Sequence, residues 1–183
     1  MAQEAHAQLG LDVVVLTPVA TPPHKELADD PGAEQRVRMC ELAAAKDDRL
    51  AVSRIEVDRG GPSYTVDTLR EIHAASPGDD LTFIVGGDMA HSLPAWKEPE
   101  EVLRLATLAI AEREAIRRDD IAEQLAPLCA PDRYMFFAMP RIDVSSSLIR
   151  GRIRAAQPIR YLVPDDVIRM VGARGYYRQV VNG

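Results

Sequence analysis

The stretch Leu81-Thr82-Phe83-Ile84-Val85-Gly86-Gly87-Asp88 decides the class of fold. Five consecutive residues are apolar or β-branched, and the run stops at two glycines. Strict alternation would indicate a strand with one wet face. An unbroken apolar run indicates a strand buried on both faces, which is how strands of a parallel sheet lie beneath helices. Asp12-Val13-Val14-Val15-Leu16 and Ala106-Thr107-Leu108-Ala109-Ile110-Ala111 repeat the pattern on either side. Leu50 to Val57 and Tyr134 to Phe137 read as further strands.

Helical patterns separate these runs. Met1 to Leu9 reads as a helix ending at Gly10, a suitable residue for the position after a helix. Ala33 to Lys46, Thr65 to Ala75, Asp119 to Leu128, Ser145 to Ala155 and Asp165 to Ala173 place apolar residues three and four apart. Strands alternating with helices predict a doubly wound α/β sheet. Neither a repeat nor a linker interrupts the pattern, so residues 1–183 read as one domain.

Composition narrows the classes. Hydrophobic residues make up 46% and charged residues 27%, enough apolar material for a full core without metal or disulfide staples. Cys40 and Cys129 fit a reduced compartment rather than a disulfide framework. No apolar run reaches membrane-spanning length, and the first residues lack signal-peptide character, so a cytoplasmic protein without membrane partners is expected. The net charge of −6 argues against nucleic acid as a partner. Arg141 to Arg178 runs the other way, with eight arginines against Asp143, Asp165 and Asp166. A small anionic ligand suits such a patch, as does an ordinary solvated surface.

Four segments carry residues suited to chemistry. Thr21-Pro22-Pro23-His24-Lys25 follows the first strand, where α/β sheets bind ligands, and its prolines stiffen a loop bearing a histidine and a lysine. In Gly61-Pro62-Ser63-Tyr64-Thr65, Ser63 or Thr65 could cap the next helix, and Tyr64 could stack on a ring. Gly86 and Gly87 permit close backbone approach, Asp88 could hold ribose hydroxyls or help position a metal, and Trp96 in Leu93-Pro94-Ala95-Trp96 suits a flat heterocycle. Ile142-Asp143-Val144-Ser145-Ser146-Ser147-Leu148-Ile149-Arg150 brings three hydroxyls to a helix start, with Arg150 and Arg154 on one face. Hydroxyls, free amides and guanidinium groups together suit a polyphosphate. There is no Gly-x-x-x-x-Gly-Lys loop, no Gly-x-Gly-x-x-Gly fingerprint and no Cys/His spacing for zinc.

In this order and spacing, Pro22-Pro23-His24-Lys25, Ser63-Tyr64-Thr65, Gly86-Gly87-Asp88, Leu93-Pro94-Ala95-Trp96 and Ser145-Ser146-Ser147-Leu148-Ile149-Arg150 resemble the bacterial nicotinate mononucleotide adenylyltransferase family. Tyr161-Leu162-Val163-Pro164 and Gly175-Tyr176-Tyr177-Arg178 extend the resemblance almost to the end. It implies a Rossmann-like nucleotidyltransferase that moves AMP from ATP to nicotinate mononucleotide with Mg²⁺, giving deamido-NAD and pyrophosphate. By carry-over, His24, Lys25, Tyr64, Thr65 and Trp96 would hold the mononucleotide. Gly86 and Asp88 would border the ATP ribose, and Ser146, Ser147 and Arg150 would face the phosphates, with Arg150 stabilising charge in the transfer. A noncatalytic nucleotide-binding protein and an adenylyltransferase with another acceptor remain the alternatives.

That family opens with a strand, a glycine-rich turn and a His-x-Gly-His motif, none of which occurs in these 183 residues. The expectation is that Met1 is internal to a longer frame, with about 15–20 residues upstream at typical element lengths. The first strand of the sheet is then missing, with open backbone groups beside Asp12–Leu16 and Leu81–Val85. The chain as written is expected to turn over poorly.

Overall fold

The computed structural model describes residues 1–23, 30–112 and 117–178. In chain order the elements are α1 (Ala2–Leu9), β1 (Val14–Leu16), α2 (Ala33–Ala44), β2 (Leu50–Val52), α3 (Ile55–Arg59), α4 (Thr65–Ala75), β3 (Thr82–Gly86), α5 (Gly87–Ser92), α6 (Pro99–Leu105), β4 (Thr107–Glu112), α7 (Arg118–Leu125), β5 (Tyr134–Ala138), α8 (Ser146–Arg154) and α9 (Asp165–Arg174). Short 3₁₀ turns occupy Leu93–Ala95 and Pro131–Arg133. The chain divides into two compact units, residues 1–14 with 63–141 and residues 15–62 with 142–183. The described strands form two sheets, β1–β2 and β3–β4–β5.

The first unit is built on the parallel sheet β3–β4–β5, with Val85 opposite Ile110 and Ile110 opposite Phe136. Alternate residues of β4 point to opposite faces. Leu108 and Ile110 enter a core with Val66, Leu69, Leu93, Val102, Leu103, Ile121 and Leu125, contributed by α4, α6, α7 and the Leu93 turn. On the other face Ala109 and Ala111 meet Ala5 of α1 and Phe137. Alanines there let α1 approach closely, and Ala5, Ala109 and Ala111 are all fully buried. The unbroken apolar run of β4 is therefore a strand covered on both faces. Gln8 adds a local detail: its side-chain amide donates to the Ala138 carbonyl (2.9 Å) and accepts from the Ala138 amide (3.1 Å).

In the second unit α2 packs on β2 and α9, and Val37, Val167 and Val171 are buried. The Arg36 guanidinium is nearly enclosed. It donates to the carbonyls of Val19 (2.7 Å) and Ala20 (2.8 Å) and pairs with Asp30. Lys46 pairs with Asp166 at 3.3 Å.

Sequence expectations need correction here, first for the run Asp12–Leu16, which forms a strand only over Val14–Leu16 and leaves Val13 and Val15 45% and 47% exposed rather than buried. The strand expected over Leu50–Val57 ends at Val52, and Ile55–Arg59 is helical. The alternating Ile55 and Val57 suggest a strand, but local bonds decide otherwise. The Ser53 hydroxyl accepts the Ile55 amide (3.3 Å), Arg54 pairs with Asp58 (3.1 Å), and Gly60 ends the turn at φ 71°. The sequence reading also passed over α5 and, after it, α6. Pro99 at its first turn, followed by Glu100 and Glu101, is a good helix start, and Val102, Leu103 and Leu105 are its buried face.

Candidate active site

Five candidate residues lie in the first unit. Tyr64 occupies the position before α4, at φ −84° and ψ 130°, and Thr65 is the first helical residue. The cap position itself falls to Tyr64, between Ser63 and Thr65, the two residues that the sequence reading offers for it. The extended backbone of Tyr64 places it at the cap, and Ser63 is buried one residue earlier. The Lys97 ammonium lies 4.7 Å from the centre of the half-buried Tyr64 ring.

Gly86 closes β3 and Asp88 lies in the first turn of α5. The backbone of Gly86 is ordinary, at φ −81°, so conformational freedom is not the reason for glycine. Space is the reason, because a Cβ there would stand 2.8 Å from the Asp88 carboxylate Oδ1. The exposed carboxylate thus rests against bare backbone at the carboxyl end of a parallel strand, where α/β sheets take ligands.

Trp96 follows the 3₁₀ turn Leu93–Ala95, with Leu93 fully buried beneath it in the core. Its indole N–H donates to the Ser92 hydroxyl (3.2 Å), which itself donates to the Met89 carbonyl (2.9 Å). The ring meets Phe83 edge-on, with centroids 6.1 Å apart and planes at 71°. The indole donor is therefore already used, and what Trp96 has left to offer a ligand is its half-buried ring.

Three candidates lie in the second unit. The Ser145 hydroxyl caps α8 by accepting the Leu148 amide at 3.1 Å. Ser146 and Ser147 then sit in the first turn, and Arg150 one turn on donates to the Ser147 hydroxyl at 3.4 Å. No residue of α8 is buried, and Arg152 and Arg154 occupy its last turn. The second unit also holds Tyr177, at φ 64°. Burial pushes its phenol up, with Asp30 adding to the effect and Arg150 and Arg36 opposing it. Tyr177 therefore stays neutral and can act as a hydrogen-bond donor.

His24 and Lys25 lie outside the described residues. His6 sits within α1, and His73 and His91 are exposed near the ends of α4 and α5. Among the described residues no group of three His, Cys, Asp or Glu side chains gathers as a metal cage. None of the described helices is long and apolar enough to cross a membrane.

The sequence reading missed Asp67, Arg70, Lys97 and Glu98. Lys97 donates to both carboxylate oxygens of Asp67 (3.1 and 2.9 Å), and Arg70 forks onto Glu98. The available signal was an opposite-charge pair, Lys97-Glu98, directly after the tryptophan, with Asp67 and Arg70 three apart on a helix.

Comparison with known proteins follows the same lines. The cytidylyltransferase-like family matches residues 1–152. A protein of Tropheryma whipplei named "probable nicotinate-nucleotide adenylyltransferase" is 36% identical over 98% of this chain and 91% of its own length. One of Acidothermus cellulolyticus with the same name is 36% identical over 100% of this chain and 88% of its own. Among solved structures, a nicotinic acid mononucleotide adenylyltransferase of Plasmodium falciparum complexed with NaAD is similar in fold. Its TM-score is 0.77 at 15% identity, over 96% of this chain and 87% of that one. The sequential pattern, the parallel sheet with its glycine-ended strand, and these two levels of similarity agree: the chain belongs to the cytidylyltransferase-like nucleotidyltransferases and, within them, to the nicotinate-nucleotide adenylyltransferase family.

Proposed function

We propose that this protein transfers AMP from ATP to nicotinate mononucleotide, releasing pyrophosphate and forming deamido-NAD, a step of NAD synthesis. The observation that carries the reading is the near full-length similarity to relatives of that name, at 36% identity. The cytoplasm is the compartment where ATP and the mononucleotide would meet this protein.

The chemistry asks little covalent work of the protein. A phosphate oxygen of the mononucleotide attacks the α-phosphorus of ATP, the new P–O bond forms, and the bond to the bridging oxygen breaks with pyrophosphate leaving. Positioning and charge stabilisation supply the rate. In this reading Trp96 and Tyr64 offer ring faces to the pyridine, and Thr65 with the α4 start offers polar contacts to its substituent. His24 and Lys25 are assigned to the mononucleotide phosphate. Asp88, against the bare backbone of Gly86, accepts hydrogen bonds from the ATP ribose. Ser146, Ser147 and the free amides of the α8 start receive phosphate oxygens, and Arg150 opposes the charge that develops on them.

Mg²⁺ typically keeps several waters and binds through substrate phosphates and one or two carboxylates rather than in an all-protein cage. The donors described here fit that mode, with Asp88 the exposed carboxylate beside the proposed nucleotide position. When bound, the ion neutralises triphosphate charge. The test is pyrophosphate release from MgATP, with nicotinate mononucleotide supplied or withheld. Release that depends on the mononucleotide, with deamido-NAD identified by mass, is the expected result. Release that is indifferent to the acceptor, or none at all, overturns the proposal.

A further inference from the structure

Two successive residues after Trp96 are fastened to a single turn of α4. Lys97 donates to both oxygens of Asp67, at 3.1 and 2.9 Å. Arg70 forks onto both oxygens of Glu98, with Nη1 to Oε1 at 3.2 Å. Asp67 and Arg70 are three apart and so share one face of α4, which starts at Thr65 directly after Tyr64. Lys97 also lies over the Tyr64 ring. Glu98 sits at φ 50° and ψ 61°, a left-handed conformation uncommon for any side chain other than glycine. A strained residue held by a forked arginine indicates that the path of this segment is imposed.

The fold does not need these pairs for its stability. Side-chain exposure is 41% for Lys97, 32% for Asp67, 42% for Arg70 and 46% for Glu98, and ion pairs so open to water contribute little to folding. Apolar contacts already join α4 and α6, through Val66 and Leu69 on one side and Val102 and Leu103 on the other. Trp96 itself rests half-buried on the core and edge-on to Phe83, and the one partner of its indole N–H is Ser92, which is exposed.

We propose that the Asp67–Lys97 and Arg70–Glu98 pairs form a double clamp of positioning residues that holds the Trp96 ring and the Tyr64 ring in register for the acceptor's pyridine, and so sets acceptor affinity. The proposal rests on the assignment of Trp96 and Tyr64 to the acceptor. Hydrogen bonding from Arg70 holds the Glu98 carboxyl below the usual carboxylate range, so the second pair stays charged at neutral pH.

Trp96 is the only tryptophan, so its fluorescence reports this segment directly. Wild type, K97M, K97R and D67N are compared in two ways, by acrylamide quenching without ligand and by titration with nicotinate mononucleotide. In wild type the mononucleotide changes the Trp96 emission. K97M and D67N are expected to expose Trp96 to acrylamide and to weaken mononucleotide binding about tenfold, the size of one lost aromatic stack. Affinity for MgATP and the melting temperature stay near wild type, and K97R restores mononucleotide binding to within about threefold because it keeps both the ion pair and the cation over the ring. Unchanged quenching and unchanged binding in K97M overturn the clamp. Equal losses of both nucleotides together with a large fall in melting temperature also overturn it, since that pattern marks a purely structural role. A wild-type Trp96 that ignores the mononucleotide, while acrylamide quenching still rises in K97M, instead overturns the assignment of the ring to the acceptor.

Discussion

Replacing Ser145 with alanine tests how α8 is held. The helix has nine residues and buries none of them, and it carries Gly151 in its interior. Isolated helices shorter than about 12–15 residues are marginal in water, and an interior glycine costs about 1 kcal/mol more than alanine. One side-chain cap, the Ser145 hydroxyl on the Leu148 amide at 3.1 Å, closes its first turn. Losing such a cap costs about 1 kcal/mol, which at room temperature multiplies the open population of the turn about fivefold. The Leu148 and Ile149 amides should therefore exchange with deuterium about fivefold faster in S145A. The melting temperature should fall only about 2–4 °C, the usual yield of 1 kcal/mol in a chain of this size. S145D separates the cap from the ligand. Aspartate caps as well as serine and complements the helix dipole, so amide protection returns. The same carboxylate places negative charge where triphosphate oxygens are proposed to bind, so MgATP affinity should stay low. Exchange rates in S145A equal to wild type, or S145D binding MgATP as tightly as wild type, would refute the reasoning.

Three further perturbations follow from the geometry. G86A is accepted by the backbone at φ −81°, but its Cβ forces the Asp88 carboxylate aside; loss of one hydrogen bond to the ribose should raise the MgATP dissociation constant about fivefold, as measured by calorimetry, with stability nearly unchanged. L108A empties a site in β4 that is 1% exposed, and should cost about 3 kcal/mol in urea unfolding, where a loss below about 1 kcal/mol would show that the core relaxes around the gap. The Cys40 thiol is pushed up by burial, with Glu41 adding to the effect; the Cys129 thiol is pushed up by burial and by Asp132, with Arg133 opposing. Native protein at pH 8 should thus alkylate slowly at both cysteines and rapidly once unfolded. Because the neutral thiol is the form favoured in the fold, its contribution to stability is complete below the ordinary thiol value and is lost as pH rises through the higher folded value, which unfolding at pH 8 and pH 10 can check.

The sequence displays its sheet better than its clamps. β4 is legible because two-sided burial leaves a long apolar run with little competing local signal, and β3 and β5 because their apolar, β-branched and aromatic residues stand together. Residues 55–59 mislead because Ser53, Asp58 and Gly60 decide their conformation, and hydrophobic spacing carries no trace of a hydroxyl bonded two residues on. The division of the described strands into two sheets is likewise invisible in local pattern, which specifies strands and not their partners. At the site, the serine cap and the glycine beside Asp88 follow from residue type. Tyr64 as cap residue does not, because its place there comes from an extended backbone before α4. Lys97 and Asp67 are thirty residues apart and meet only once α4 has packed beside α6.

The Gln8 side chain lends β5 what a neighbouring strand would lend it, one donor and one acceptor at the height of Ala138. Tyr134-Met135-Phe136-Phe137-Ala138 is aromatic, uncharged and outermost in its sheet, with Met135 39% exposed. Such a margin is an open template on which a second molecule could continue the ladder. A carboxamide is a strand one peptide long, and a ladder that reaches it finds no further backbone to follow. Sheet growth at that corner is thus ended by a single residue reaching over from a helix.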